Sequence, residues 1–130
     1  MITQQELRQR RETAKVFENM TAQGELLLMR VAEVPKDAIE VTERPNGLLT
    51  VGHSESGHHH VIVGDARFFT TKDPNICYLK IEGEAYLEHL KSDKEGPPHW
   101  TQTPATPGVF EVRKQKEGTG TTGLWRQVAD

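Results

Sequence analysis

The chain has 130 residues, of which 16 are Lys or Arg and 19 are Asp or Glu, so its formal net charge is −3 at pH 7. This length fits one domain, and the slight acidic excess excludes the strongly basic surface typical of nucleic-acid-binding proteins. No apolar run reaches the roughly 20 residues that span a bilayer, and a single cysteine, Cys77, excludes an intrachain disulfide. We expect a soluble protein that binds neither membranes nor nucleic acid.

Residues 1–22 differ in pattern from the rest and are predicted to form an N-terminal helical arm. Thr3 and Glu6 fit a capping box, which predicts a helix from about Gln4 to Asn19. Its apolar stripe is narrow and interrupted, and such a helix is poorly stable alone. The hydrophobic share of the chain, 35%, is also low for a self-sufficient core. Both observations favour a partner for the arm, either a second copy of the chain or another protein.

From residue 23 to residue 130 the sequence indicates a β domain. Short runs with strand-like alternation are separated by turn residues such as Gly64-Asp65, 72–75 and Gly83. The predicted strands lie near 26–31, 39–42, 48–51, 58–63, 66–71, 76–82, 84–90, 108–113 and 124–129. No strand–helix–strand alternation is present, so the fold class is mainly β, a small antiparallel barrel or sandwich after one N-terminal helix.

A proline-rich segment, 91–107, is predicted to be a long irregular loop because it has four of the seven prolines and little apolar content besides Trp100. Loops of this length in compact domains are often functional.

Four of the six histidines fall within residues 53–60 and lead into a strand. Side chains alternate faces along a strand, so His58 and His60 share a face while His59 points the other way. Their Cα atoms would lie about 6.6 Å apart, close enough for both rings to bind one ion at about 2.0–2.1 Å. The pattern therefore predicts a metal site, although half-buried polar histidines or an exposed edge would give the same spacing.

A third ligand must come from elsewhere, and His89 is the preferred candidate because a strand two or three hairpins away can bring it opposite His58 and His60. The further candidates near the predicted site are His53, Glu55, Asp65 and His99. Such a ligand set suits Zn²⁺, Fe²⁺, Ni²⁺ or Mn²⁺.

The spacing Gly52-x5-His58-x-His60 resembles the first motif of the cupin superfamily, in which an acidic residue follows at the place of Asp65. This resemblance implies a cupin-like barrel with a bound metal. The second cupin motif is not matched, because Pro107-Gly108 is followed by Val-Phe-Glu-Val and no histidine.

A broader likeness covers most of residues 24–130. Gly24-Glu-Leu-Leu-Leu28, Gly57-His-His-His60 and the run that begins at Pro107-Gly-Val-Phe-Glu-Val are similar to segments of small uncharacterised bacterial and phage proteins. The resemblance implies a histidine at the place of His89 and a cytoplasmic or virion location, and it implies no particular reaction.

Two functions follow from these features. The first is a metal-binding, non-enzymatic accessory or structural protein in an oligomeric assembly, for example a phage decoration protein, with the N-terminal helix docked on a neighbour. The second is a small metal-dependent enzyme, a hydrolase or cupin-like oxygenase. In that case Glu55 or Asp65 would act as general base and segment 91–107 would be a lid.

Overall fold

The computed structural model describes Gln5, Glu12 and residues 14–44, 48–53, 59–90 and 101–114. The regular elements among them are β-strands, as the alternating pattern predicts. The strands are β1 Lys15–Phe17, β2 Met20–Gln23, β3 Leu26–Val31, β4 Ile39–Val41, β5 Leu49–His53, β6 His59–Thr70, β7 Ile76–Leu90, β8 Gln102–Pro104 and β9 Gly108–Lys114. The mainly β class is confirmed, and β3 has the predicted bounds.

The strands form one nearly closed, barrel-like sheet. Its main path has the order β1-β8-β7-β9-β3-β2, while β6 pairs with β7 and carries β4 and β5. All pairs are antiparallel except β1 with β8, which is parallel. Of the two predicted antiparallel architectures, a barrel or a sandwich, the sheet therefore resembles the barrel.

The long β6–β7 hairpin is the largest pairing of the sheet. Gly64-Asp65 and Gly83, predicted to end strands, instead lie at a register shift inside this continuous pairing. Gly64 has a φ of 113°, and a Cβ there would lie 2.3 Å from the Glu84 carbonyl oxygen. Only glycine accommodates both the backbone angle and the close approach. The two glycines thus bend the hairpin without breaking it.

The core is built from the inward-facing residues of six strands, β1, β3, β5, β6, β7 and β9. On β7 every second residue is buried from Cys77 to Leu87, apart from the bulge, and β6 matches it with Ile62, Ala66 and Phe68. Leu79 and Phe110 are fully buried. Burial of one such side chain contributes roughly 1.5–3 kcal/mol, so this apolar layer dominates the stability of the domain.

Strand β2 closes the barrel in a different way, which we call the β2 seam. Among the described residues its backbone pairs with β3 alone, and its other side contacts β7 and β8 through buried side chains. The Thr21 hydroxyl donates to Gln102 Oε1 at 2.6 Å, and Gln102 Nε2 donates to the Ala22 carbonyl at 2.8 Å. Gln23 Nε2 donates to the Leu87 carbonyl at 3.2 Å. Side-chain amides therefore replace a backbone ladder along this seam.

The predicted N-terminal helix is wrong at its C-terminal end. Lys15–Phe17 is strand β1, and helical backbone occurs among the described residues only at the isolated positions Gln5 and Glu12. Phe17 is buried against Phe110, with ring centroids 5.4 Å apart, while neighbouring Val16 is exposed. This burial requires the alternation of a strand, which the local sequence pattern did not reveal. Most of residues 1–13 lie outside the described residues.

Arg30 fastens this N-terminal segment to the barrel. Its guanidinium donates to the carbonyl oxygens of Glu18, Thr106 and Pro107 at 2.8–3.1 Å and lies 4.6 Å from the centre of the Phe110 ring. Residues 15–22, predicted to belong to the arm, are thus part of the sheet. Segment 101–107, predicted as loop, contains β8.

Residues 91–100 of the predicted proline-rich loop and the strand predicted near 124–129 lie outside the described residues. Within the described residues no helix has the length and apolar character needed to cross a membrane.

Candidate functional site

Two of the three predicted metal ligands meet inside the barrel. His60 on β6 and His89 on β7 are direct cross-strand partners, and their rings stack with centroids 4.3 Å apart and planes inclined by 6°. Their exposed fractions are 0% and 5%. Alternation places them on the inward face, where they continue the rows of Ile62 and Leu87. The histidine pair therefore forms a polar end to the apolar core.

Gln23 fixes the orientation of the His60 ring. The Gln23 amide nitrogen donates to the Leu87 carbonyl, so the amide oxygen faces His60 and lies 2.8 Å from Nδ1. An amide oxygen only accepts hydrogen bonds, which requires the proton of the His60 ring to be on Nδ1. The Nε2 atom of neutral His60 consequently carries the lone pair.

Glu25, in the turn between β2 and β3, approaches that lone pair. Its Oε1 lies 3.3 Å from His60 Nε2, and the Glu25 side chain is 36% exposed. Among the described residues His60 Nε2 has no hydrogen-bond partner, so the contact has the distance of an ion pair without hydrogen-bond alignment. A proton on His60 Nε2 would stabilise the Glu25 carboxylate, and this interaction with the protonated ring lowers the pKa of the Glu25 carboxyl more than burial raises it.

Two glycines leave space for the rings. Gly24 has a φ of 57°, and a Cβ there would lie 3.1 Å from His60 Cε1, 3.3 Å from His60 Nε2 and 3.7 Å from His89 Cε1. Gly52, the cross-strand partner of His60, faces its Cδ2 atom. The imidazole edges of both histidines therefore point at the β2–β3 turn.

The arrangement is not a preformed metal site. Among the residues that the structure describes, no group of three or more His, Cys, Asp or Glu side chains is placed to hold a metal ion. The stacking of His60 and His89 explains this result, because lone pairs in two parallel ring planes do not converge on one point. Coordination by both rings would require one of them to rotate about its side-chain bonds.

The opposite face of the same hairpin segment is also polar. Glu88 is fully buried and accepts a hydrogen bond of 2.5 Å from the hydroxyl of Thr101, which is fully buried as well. His59 is half-buried and points to this face, as its parity predicts. His59 and His60 therefore have different environments despite being neighbours.

The other candidate residues are distributed as follows. His58, Glu55 and His99 lie outside the described residues. His53 belongs to β5, and its backbone pairs with His59. Asp65 is exposed at the β6 bulge, where it packs on Gly83. Asp65 lies five positions after His60, or about 16 Å along the strand, so the structure does not bring Asp65 to the histidine pair.

The sequence prediction missed Gln23 and Glu25. Both flank Gly24, whose position after a polar run indicates a turn, but nothing local shows that this turn approaches His60. The sequence offers one signal: Glu25 follows a turn glycine, Gly24, and directly precedes the predicted strand 26–31.

A separate cavity of about 120 Å³ lies at residues that include Thr50, Phe68, Thr71, Cys77 and Lys114. Burial raises the pKa of the Cys77 thiol to about 11. This protonated, buried thiol is a poor nucleophile, so Cys77 acts as a core residue.

Comparison with models of protein families gives a match. The model of a family described as a domain of unknown function (DUF8820) matches residues 22–115, a range that begins in β2, ends just after β9 and includes Gln23, Glu25, His60 and His89. No curated protein and no solved structure matches the chain.

Proposed function

We propose that this protein, which belongs to the DUF8820 family, is a metal-binding, non-enzymatic accessory or structural protein that works in an assembly, with His60 and His89 as metal ligands. The observation that carries the proposal is the buried cross-strand histidine pair, in which Gln23 fixes the His60 ring. Two imidazoles favour a borderline divalent ion such as Zn²⁺, Ni²⁺ or Fe²⁺, and Mn²⁺ is a harder alternative.

The histidine pair is suited to coordination once a ring rotates. Directly opposed residues on antiparallel strands have Cβ atoms about 4.5–5.5 Å apart, so His60 and His89 can reach one ion without movement of the backbone. Metal-bound histidines commonly donate the second ring N–H to an oxygen acceptor. Gln23 Oε1 accepts from His60 Nδ1 in this way, which leaves Nε2 available for the ion.

Burial of the pair favours a structural role over catalysis. Both rings are at least nine-tenths buried, and structural metal sites are closed, whereas catalytic sites keep an open position for substrate. The proposed ion would join β6 and β7 at the polar end of the core, where apolar packing is weakest.

The surface near the N-terminus supports a role in an assembly. Val16 and Met20, on either side of the β1–β2 turn, are 62% and 46% exposed. Apolar side chains in this position would contact a second copy of the chain or a virion protein partner. The partner surface would extend toward residues 1–13, where the sequence predicts a helix.

The proposal is tested by metal binding to the full chain prepared without a histidine tag. Dialysis against Zn²⁺ followed by elemental analysis should give one tightly bound ion per chain, and Zn²⁺ at 100 times its Kd should stabilise the fold by about 2.7 kcal/mol. His60→Ala and His89→Gln should each remove the ion and the stabilisation. Circular dichroism of the metal-free variants would verify that they remain folded.

His59→Ala is the matched control, since His59 neighbours His60 and faces the other side of the sheet. It should bind Zn²⁺ as the wild type does. His58→Ala tests the remaining predicted ligand, and loss of the ion there would add His58 to the site. Equal Zn²⁺ binding by the wild type and the His60→Ala variant would overturn the proposal. Light scattering in parallel would measure the oligomeric state.

A further inference from the structure

The surroundings of His60 Nε2 favour a bound cation. This buried atom carries a lone pair when the ring is neutral, because Gln23 holds the proton on Nδ1, and it faces the Glu25 carboxylate at 3.3 Å. A lone pair and a carboxylate repel each other in a buried setting. A proton or a metal ion between the two atoms would convert the repulsion into attraction.

The distance favours a metal ion. A charge-assisted N–H···O bond between imidazolium and carboxylate is about 2.7–2.9 Å long, shorter than the 3.3 Å observed between His60 Nε2 and Glu25 Oε1. Two ligand atoms that bind the same tetrahedral Zn²⁺ at about 2.0–2.2 Å lie roughly 3.4 Å apart. The two atoms are therefore spaced like two ligands of one ion.

The β2–β3 turn is shaped to bring the carboxylate there. Gly24 adopts a left-handed φ of 57°, which places Glu25 beside the rings, and the missing Cβ leaves the edges of His60 and His89 accessible from the turn. Glu25 remains partly exposed, so an ion can enter from solvent between the turn and the rings.

We infer that Glu25 is the third ligand of the proposed ion, with His60 and His89 as the other two once the His89 ring has rotated out of the stack. This inference rests on the proposed function, and it assigns to the site a carboxylate that the histidine pattern does not reveal. The ion would cross-link the β2–β3 turn to the β6–β7 hairpin. Metal binding would thereby fasten the β2 seam at the end where Gln23 already bonds to Leu87.

The test compares Zn²⁺ affinity of the tag-free full chain in four forms: wild type, Glu25→Ala, Glu25→Gln and Glu33→Gln. Glu33 is exposed beyond the end of β3 and serves as the matched control. Competition with a chromophoric chelator should show Kd values raised more than about 10-fold for both Glu25 variants, since even residues that only support a ligand contribute 10–100-fold. Glu33→Gln should leave the Kd unchanged.

Two further measurements separate a ligand from a supporting residue. Co²⁺ substituted for Zn²⁺ should show a visible absorption band that changes in intensity and position in Glu25→Ala. Hydrogen exchange should show that Zn²⁺ protects the amides of the β2–β3 turn in the wild type and not in Glu25→Ala.

The outcomes distinguish the two proposals. If Glu25→Ala binds Zn²⁺ and Co²⁺ like the wild type while His60→Ala does not, Glu25 is not a ligand and the histidine site stands. If the wild type binds no metal, both proposals fail.

Discussion

Two parts of the barrel differ in what joins neighbouring strands. Along the β6–β7 hairpin the backbone ladder is continuous apart from one bulge, and the inward side chains are mostly apolar. Along the β2 seam three buried polar side chains, Thr21, Gln23 and Gln102, make the contacts that a ladder would otherwise supply. A ladder depends on backbone groups that every residue has, whereas a seam depends on particular side chains. Single substitutions should therefore have different consequences in the two places.

The largest expected effect comes from removing the seam entirely. Deletion of residues 1–22 removes β1 and most of β2, exposes the core around Phe110 and should leave a chain without cooperative thermal unfolding. Deletion of residues 1–13 leaves both strands in place, and this shorter deletion should preserve cooperative thermal unfolding. Circular dichroism melts of the two truncated proteins measure the difference. A cooperative melt after deletion of 1–22 would mean that the ladder is stable without the seam.

Within the hairpin, Leu79→Ala should have the largest single-residue effect. Leu79 is fully buried, and replacement of such a leucine by alanine costs about 2–5 kcal/mol because a cavity remains. The loss should be the same with and without Zn²⁺, since Leu79 belongs to the apolar layer. Urea denaturation measures it, and half-buried Lys80→Ala, on the other face of the strand, is the control. A loss that depends on Zn²⁺ would show that the two regions are coupled.

The hairpin and the seam also differ in how well the sequence predicts them. Alternation of Cys77, Leu79 and Ile81 predicts a strand, and the spacing His58-x-His60 makes His60 a candidate ligand, with His89 as the preferred third ligand. The contact between Gln23 and His60 joins residues 37 positions apart, and no local pattern encodes it. Likewise, Val16 and Phe17 are both apolar, so the sequence shows no alternation there. Tertiary packing decides that Phe17 is buried and Val16 exposed.

Gln102→Ala should have an intermediate effect that is confined to the seam. It removes the acceptor for the Thr21 hydroxyl and the donor to the Ala22 carbonyl, and unsatisfied buried groups cost about 1–3 kcal/mol. Hydrogen exchange should show reduced protection of β2 and unchanged protection of β6 and β7. Thr103→Val is the control, because the Thr103 hydroxyl bonds to the Ala85 carbonyl on β7. Loss of protection throughout the sheet would contradict a local seam.

The smallest effect concerns an ion pair on the outside of the ladder. Arg67 donates to both carboxylate oxygens of Glu40, at 2.6 and 3.0 Å, and lowers the pKa of Glu40 from its ordinary value of 4.5. A lowered carboxyl pKa adds stability above pH 4.5, and this contribution disappears as the pH falls through the folded-state pKa.

The melting temperature of Glu40→Gln should accordingly lie slightly below that of the wild type at pH 7, and the difference should vanish under acidic conditions. Thermal melts between pH 3 and pH 7 measure it, with Glu33→Gln as an unpaired control. A difference that grows as the pH falls would rule out this origin.

The bulge in the β6–β7 hairpin has a consequence for changes in chain length. Asp65 alone separates Gly64 from Ala66, whereas three residues, 82–84, separate their partners Ile81 and Ala85. Strand β7 thus has two more residues than β6 at the bulge. Because side chains alternate faces with a period of two residues, inward-facing residues of β6 still pair with inward-facing residues of β7 on both sides of the bulge. A deletion of one residue within 82–84 would reverse this alternation, turning His89 outward and Glu88 into the core. Insertions and deletions at this bulge should therefore be tolerated in steps of two residues, and homologous chains that differ in length here should differ by an even number.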